Sequence, residues 1–119
     1  MKLAELWVKT LDPSELEHIE GLQGKWKRFL DASEQSQGMV FGMGELAVGE
    51  TAGWHDHPEP ELFFVLEGTA LARWNVDGDI GEERLSPGKA FFKEGDVPHQ
   101  MVNDGSTVFR GLFFKLGAV

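Results

Sequence analysis

The sequence predicts a single all-β domain, a sandwich or barrel of about eight short strands. Three observations support this. The length of 119 residues is that of one ordinary domain. Fifteen Gly and five Pro indicate frequent turns, which favour short strands over helices. Hydrophobic residues make up 41% of the chain and include nine Phe and four Trp, enough for one core.

The N-terminal part predicts a different local structure from the rest. Residues 3–8 predict a short strand. Asp12 is a good N-cap and Pro13 suits the first helical position, so a brief helix is expected over residues 13–19. Gly21 ends it.

An extended segment then leads into the main domain. Trp26 and Phe29 are expected to pack this segment onto the core, and the polar residues 31–38 predict a loop. We therefore divide the chain into an N-terminal extension, residues 1–37, and a β-domain, residues 38–119.

Predicted strands follow one another through the β-domain. They cover residues 39–48, 61–67, 69–76, 80–85, 90–92, 97–103 and 107–116. Gly42 and Gly44 inside the first strand indicate a bulge or a close backbone approach. The apolar run LFFVL, residues 62–66, predicts a strand buried on both faces. Asp77 and Gly78 predict a type I′ hairpin turn.

Composition excludes several classes of function. A net charge of −9 without a local Lys/Arg cluster argues against nucleic acid and anionic membranes as partners. Without cysteine there is no disulfide, thiolate metal site or Cys nucleophile. No apolar run has the length of a membrane span. Glu5 and Lys9 interrupt any signal-peptide core, so we expect a cytoplasmic protein.

The run HDHPEPE, residues 55–61, is the most informative part of the chain. His55 and His57 lie two apart and would share one face of a strand, about 6.6 Å from each other. Glu61 follows, and His99 lies in a later Gly- and Pro-bounded run. Three imidazoles and a carboxylate form a candidate ligand set for one divalent transition metal ion: Fe, Mn, Ni, Cu, Co or Zn.

Strand parity predicts the walls of a pocket around these ligands. The predicted pocket-lining residues are Phe63, Val65, Trp74 and Met101. Arg73 has the opposite parity to Trp74, so only one of the two faces inward; an inward Arg73 would bind a carboxylate bidentately. Arg73 and Glu59, which lies between two prolines, are the candidate catalytic residues. Otherwise Glu59 is a rim residue.

Simpler interpretations exist for each residue. The His/Glu run would then be a polar surface turn, and His99 alone a capping or core histidine. Lys89 and Lys93 are expected to face solvent.

Gly49, His55, His57, Glu61 and Gly68 fit the pattern G-x5-H-x-H-x3-E-x6-G. With every spacing intact, the chain resembles the cupin superfamily, and in particular its small single-domain bacterial members. The likeness covers residues 39–114. In the second motif, G-x5-P-x-G-x2-H-x3-N, the positions of Gly88, His99 and Asn103 match. Glu94 and Asp96 replace the usual proline and glycine of that motif.

The resemblance implies a double-stranded β-helix, or jelly roll, with the metal inside one end of the barrel. It implies His55, His57, Glu61 and His99 as the metal ligands. It also implies a homodimer, with the N-terminal extension packed on the barrel or on the partner. Cupins perform many reactions, so membership fixes the fold better than the chemistry.

The leading hypothesis is a metal-dependent enzyme acting on a small oxygenated metabolite, such as a sugar, sugar acid, or keto or hydroxy acid. Isomerase or lyase chemistry and dioxygenase chemistry both remain open. The alternative is a non-catalytic module that binds or senses a small molecule. A third interpretation is a metal-free structural dimer that retains the motif.

Overall fold

The computed structural model describes residues 5–116, and these residues form an all-β jelly roll. Ten strands alternate with short turns. They are β1 Glu17–His18, β2 Lys25–Leu30, β3 Met39–Leu46, β4 Thr51–His55, β5 Glu61–Glu67, β6 Ala70–Val76, β7 Asp79–Leu85, β8 Ala90–Lys93, β9 His99–Val102 and β10 Phe109–Leu116. No helix in this described part has the length and hydropathy needed to cross a membrane.

The strands form two antiparallel sheets that pack face to face. One sheet has six strands in the order β1-β2-β3-β10-β5-β8, and the other has four in the order β4-β9-β6-β7. The core lies between them, with Val65 and Phe109 from the larger sheet and Ala72 and Leu85 from the smaller one all buried. This fold confirms the predicted jelly roll, because both sheets present alternate side chains to one interior.

The two glycines of β3 lie where neighbouring strands bring a side chain close to its backbone. A side chain at Gly42 would overlap the Phe113 ring of β10, and one at Gly44 would overlap the Trp26 ring of β2. Both glycines therefore make room for an aromatic ring against the strand backbone.

The predicted hairpin joins β6 and β7. Asp77 and Gly78 both have positive φ, 52° and 89°, as a type I′ turn requires. Asn75 pairs with Ile80, and the Asn75 Oδ1 accepts a hydrogen bond of 2.8 Å from the Gly78 amide. The local sequence thus determines this register.

The prediction of a helix over residues 13–19 is wrong. Asp12 does cap a turn, but this is a 3₁₀ turn of three residues, Pro13–Glu15. Leu16 then becomes extended and buries its side chain beside Phe29 and Met43. Burial of Leu16 and the pairing of β1 with β2 override the local helix signal. Of the strand predicted at residues 3–8, residues 3 and 4 lie outside the described part, and residues 5–8 are not a strand.

The extended segment predicted around Trp26 and Phe29 is β2, and it joins the larger sheet by pairing with β3. Trp26 packs against the core between the sheets. Phe29 lies on the other face, where it forms a second, small apolar cluster with Leu16 and Met43. The N-terminal extension thus contributes a strand to the same sheet as the β-domain.

The prediction that β5 is buried on both faces is also wrong. Phe63 and Val65 are 3% and 1% exposed, whereas Leu62, Phe64 and Leu66 on the other face are 41%, 40% and 39% exposed. The apolar run reflects a strand with one face in the core and one on the surface of this single chain. An unbroken apolar pattern does not reveal whether the same chain covers both faces.

Candidate metal centre

The four predicted ligands meet at one end of the barrel, between the two sheets. His55 ends β4, Glu61 begins β5 and His99 begins β9. His57 lies in the loop after β4 rather than on the strand. Of the two histidines predicted to share one strand, only His55 lies on it. One nitrogen from each of the three imidazoles lies within 4.8 Å of the others. Glu61 Oε1 lies 3.6 Å from both His57 Nε2 and His99 Nε2.

Each imidazole is oriented by the backbone two residues away from it. The Nδ1 atoms of His55, His57 and His99 lie 2.6, 3.1 and 2.9 Å from the carbonyl oxygens of Gly53, Glu59 and Val97. These three contacts share one consequence. A carbonyl accepts only from a protonated Nδ1, which leaves the Nε2 lone pair of each ring free to bind a cation.

Burial favours the uncharged form of two of the imidazoles. It lowers the pKa of His55 and of His57 below the usual imidazole value. For Glu61, burial raises the pKa, but the adjacent His99 imidazole and the charge of Lys115 outweigh it, so the net pKa is lowered. Neutral imidazoles and an ionised carboxylate are the protonation states in which these groups bind metals.

The donor set fits a divalent transition metal. The buried His57 Nε2 has no hydrogen-bond partner among the described residues, which is unusual for a buried polar atom. Three nitrogen donors and one carboxylate suit the six metals predicted and leave open positions on an octahedral ion. A bound cation would give His57 Nε2 the partner that it lacks.

The departures from the second motif are accommodated by the loop before His99. Asp96 adopts φ +62°, the left-handed conformation that the usual glycine allows and that Asp tolerates better than most residues. Its amide donates a 2.7 Å hydrogen bond to the His57 carbonyl. Gly95 lies so close to the Pro58 carbonyl that a side chain would not fit. These contacts join the loop carrying His57 to the loop before His99.

The expectation that Lys93 faces solvent is wrong, because its side chain is only 4% exposed. Its Nζ donates to the carbonyl oxygens of His57 and Glu59, at 3.3 and 3.0 Å, and lies 3.2 Å from His57 Nδ1. Burial lowers the pKa of Lys93. Lys93 is the last residue of β8 and has the same inward parity as Phe91. This parity could be read from the sequence pattern.

The candidate catalytic residue Glu59 lies behind the His57 ring rather than in the cavity. Its Oε2 is 3.2 Å from His57 Nδ1, the nitrogen that faces away from the other ligands. A carboxylate in this position orients a ligating histidine and raises its basicity. The structure therefore places Glu59 where it supports a ligand.

A cavity of about 650 Å³ opens in front of the ligands. Of the predicted pocket residues, Phe63 and Met101 line it. Val65 and Trp74 do not: both face the interior as parity predicts, but Val65 is fully buried in the core and Trp74 lines a separate cavity beside Phe91. Parity gives the face of the sheet but not the depth along the barrel.

Arg73, the other candidate catalytic residue, does not line the cavity either. Its neighbours Ala72 and Trp74 have the inward parity, and Ala72 is fully buried. The Arg73 Nε lies 3.4 Å from Glu82 Oε2 on β7 instead. Arg73 therefore pairs with Glu82 and does not reach a ligand bound at the four-residue centre.

Sequence reasoning missed two parts of the cavity. Lys115, on the inward face of β10, places its Nζ 4.0 Å from Glu61 Oε2. Lys115 lies two residues from Phe113 on the same strand, and this shared parity would have revealed its inward direction. The second part comes from the N-terminal extension, which lines the cavity with residues that include Leu22 and Trp26. No local signal indicated that this segment reaches the ligands.

The family model described as Cupin domain matches residues 42–114. No curated protein matches the chain significantly.

Three solved structures illustrate the likeness of the fold. A predicted oxalate decarboxylase from Thermotoga maritima is 19% identical, with a TM-score of 0.72 over 91% of this chain and 98% of that one. An oxalate oxidase in complex with glycolate is 18% identical, with a TM-score of 0.76 over 89% and 57%. An oxalate decarboxylase from Bacillus subtilis with Mn(II) centres is 18% identical, with a TM-score of 0.74 over 89% and 29%.

At these identities the structures establish the fold alone. The family model covers more than half of the chain, including the four converging side chains and the loops that orient them. The chain therefore belongs to the cupin family.

Proposed function

We propose that this protein is a metal-dependent enzyme in which His55, His57, Glu61 and His99 bind one divalent transition metal ion. The observation that carries the proposal is the common orientation of the three imidazoles. Each Nδ1 is directed to a backbone carbonyl, so the other ring nitrogens are available to a cation beside Glu61 Oε1. Such orientation of ligands is typical of metal sites.

The substrate class that we propose is a small hydroxy or keto acid, or a sugar acid. A dication balanced by one carboxylate leaves a local charge of about +1, which favours an anionic oxygen ligand. The structural relatives support a small organic acid as the substrate: one is an oxalate oxidase in complex with glycolate, a hydroxy acid, and others are an oxalate decarboxylase and a predicted oxalate decarboxylase. A bound metal would supply Lewis-acid or redox chemistry to an oxygen of this substrate.

The residues of the chain define the rest of the reaction environment. Phe63 and Met101 provide apolar walls that exclude water. The chain contains no tyrosine. Among the described residues no arginine pairs with Glu61, and Lys115 is the nearest cation to that carboxylate. Isomerase, lyase and dioxygenase chemistry are all compatible with this set of side chains.

The first test is metal analysis of the purified protein, followed by His57→Ala. We expect about one metal ion per chain and loss of binding in the variant, because four ligands fall to three. His18→Ala is the matched control, since His18 lies outside the cavity and should bind metal normally. Unchanged binding by His57→Ala would contradict the ligand assignment.

A metabolite screen then separates catalysis from sensing. Turnover of an acid by the metal-loaded protein, absent in His57→Ala, would support the enzyme. Saturable binding without turnover would favour the alternative, a non-catalytic sensor module. A protein that binds none of the six metals would instead be a structural dimer.

We also propose a homodimer and a cytoplasmic location. The homodimer is supported by the outer face of the larger sheet, where Leu62, Phe64 and Leu66 of β5 adjoin Phe92 of β8. Phe92 is 60% exposed. A contiguous apolar patch on a protein of this size marks an interaction surface.

A further inference from the structure

The cavity in front of the four ligands has two chemically different walls. On one side the ligands and Lys115 form a charged surface. The second wall comes from the N-terminal extension, which contributes Ile19, Leu22 and Trp26, and from Trp54 of β4. Lys27 and Arg28 also line the cavity, but their charges pair with Glu15 and Asp31. Both walls contribute residues to the lining of the cavity.

Lys115 is placed to contact an anion bound at the metal centre. It pairs directly with Glu61 across β10 and β5, and its Nζ is 4.0 Å from Glu61 Oε2. That separation is the limit of an ion pair and leaves the ammonium without a close carboxylate contact. The Lys115 Nζ lies over the Phe113 ring, 5.6 Å from its centroid, and both residues line the cavity.

The apolar side chains of the second wall are largely exposed. Ile19, Leu22 and Trp54 are 46%, 53% and 45% exposed, although all three line the same cavity. Exposed apolar side chains that converge on one opening indicate a surface that a ligand covers. Gln23, next to Leu22, accepts a 2.7 Å hydrogen bond from the Thr51 amide and so fixes this wall to β4.

The volume of the cavity supports a ligand that reaches both walls. At about 650 Å³ it falls within the usual range for small-molecule sites and far exceeds the space needed by an acid of two carbons. A ligand held only at the metal and at Lys115 would leave the apolar wall uncovered.

From these observations we infer that the ligand is a hydroxy or keto acid with an apolar substituent, whose carboxylate contacts Lys115 and whose substituent packs on Leu22, Trp26 and Trp54. This inference rests on the proposed function and defines its substrate class more narrowly. It assigns Lys115 to specificity for the anion and the N-terminal extension to specificity for the substituent.

The test compares three probes on the metal-loaded full chain by calorimetry. Lactate and 3-phenyllactate share the hydroxy-acid group and differ by one phenyl ring, and 3-phenylpropane-1,2-diol carries the ring without the charge. We expect 3-phenyllactate to bind at least about tenfold more tightly than lactate, because the ring removes apolar area from water. Equal affinities for the two acids would overturn the inference.

Two variants assign the contributions to the two walls. Lys115→Met should weaken both acids about tenfold without affecting the diol, while Lys115→Arg should retain most of the affinity. Leu22→Ser should reduce the advantage of 3-phenyllactate and leave lactate unchanged. The matched controls are Lys25→Met and Ile80→Ser, which alter exposed residues outside the cavity and should bind like the wild type.

Metal affinity separates recognition of the anion from a structural role. Removing a positive charge beside Glu61 should leave metal affinity unchanged or raise it. If Lys115 only positioned Glu61, Lys115→Met would lower metal affinity, and our inference would be wrong. Failure of the wild type to bind metal would overturn the proposed function as well, whereas normal metal binding without discrimination among the probes would overturn the inference alone.

Discussion

The buried ammonium of Lys93 lies directly behind His57, one of the four candidate metal ligands. It donates to the carbonyl oxygens of His57 and Glu59 at 3.3 and 3.0 Å, and so joins the end of β8 to the loop between β4 and β5. This loop has no regular structure between His55 and Glu61, so its position depends on such contacts. The first prediction concerns this relationship.

Lys93→Met should destabilise the protein and weaken metal binding together. Two part-buried carbonyl groups would lose a charged donor, at a cost of about 1–3 kcal/mol. His57 would lose its support, which typically lowers metal affinity about 10–100-fold. Urea unfolding and metal titration measure the two effects. Lys89→Met, which alters an exposed lysine of the preceding turn, is the control. A variant with wild-type metal affinity would show that other contacts hold His57.

Metal binding should stabilise the folded chain. Because the ligands converge only in the folded state, a metal at a hundred times its dissociation constant should add about 2.7 kcal/mol to the free energy of unfolding. Thermal denaturation with added metal and with excess chelator measures this difference. His57→Ala should reduce the difference strongly and His18→Ala should retain it. An identical transition temperature under both conditions would contradict metal binding to the native protein.

Asn103 should be essential for stability rather than for chemistry. Its side chain is fully buried, donates to the carbonyl oxygens of Leu46 and Thr107, and accepts from the Gly105 amide. Asn103→Ala leaves these groups without partners and should cost about 3 kcal/mol in the free energy of unfolding. Asn75→Ala is the comparison, because Asn75 makes one exposed turn contact and should cost less. Equal losses in chemical denaturation would refute the assigned role.

The exposed face of β5 should mediate self-association. Phe64→Ser and Phe92→Ser should each shift the protein from dimer to monomer, since both remove apolar area from the same patch. Sedimentation measurements over a range of concentrations give the association constant. Ile80→Ser, on the other sheet, should leave it unchanged. A wild-type protein that is monomeric at high concentration would exclude this interface.

Much of the fold was predictable because its signals are local. Asp77 and Gly78 define a turn through their backbone preferences, and Gly42 marks a close approach because it lacks a side chain. The four candidate ligands were predictable as well, since their types and spacing limit the chemistry that they can share. Such features depend on neighbours a few residues apart.

Other features depended on which distant segments meet. Leu16 is extended rather than helical, because burial of its side chain beside Phe29 outweighs the favourable helix cap at Asp12. Lys93 and Lys115 share the inward strand parity of Phe91 and Phe113, but parity does not show how deeply an inward lysine is buried. The packing of the sheets decides that Lys93 is buried and that Lys115 lines the cavity.

The sequence by itself determined the strand pattern, the main turns and the residue types of the candidate metal centre, because alternation, glycine and histidine spacing act over short distances. The tertiary structure alone decided how far along the barrel each inward side chain lies, which apolar face stays exposed and which segment closes the cavity. The physical reason is that burial and charge pairing depend on contacts between strands that are remote in the chain, and strand periodicity carries no record of those contacts.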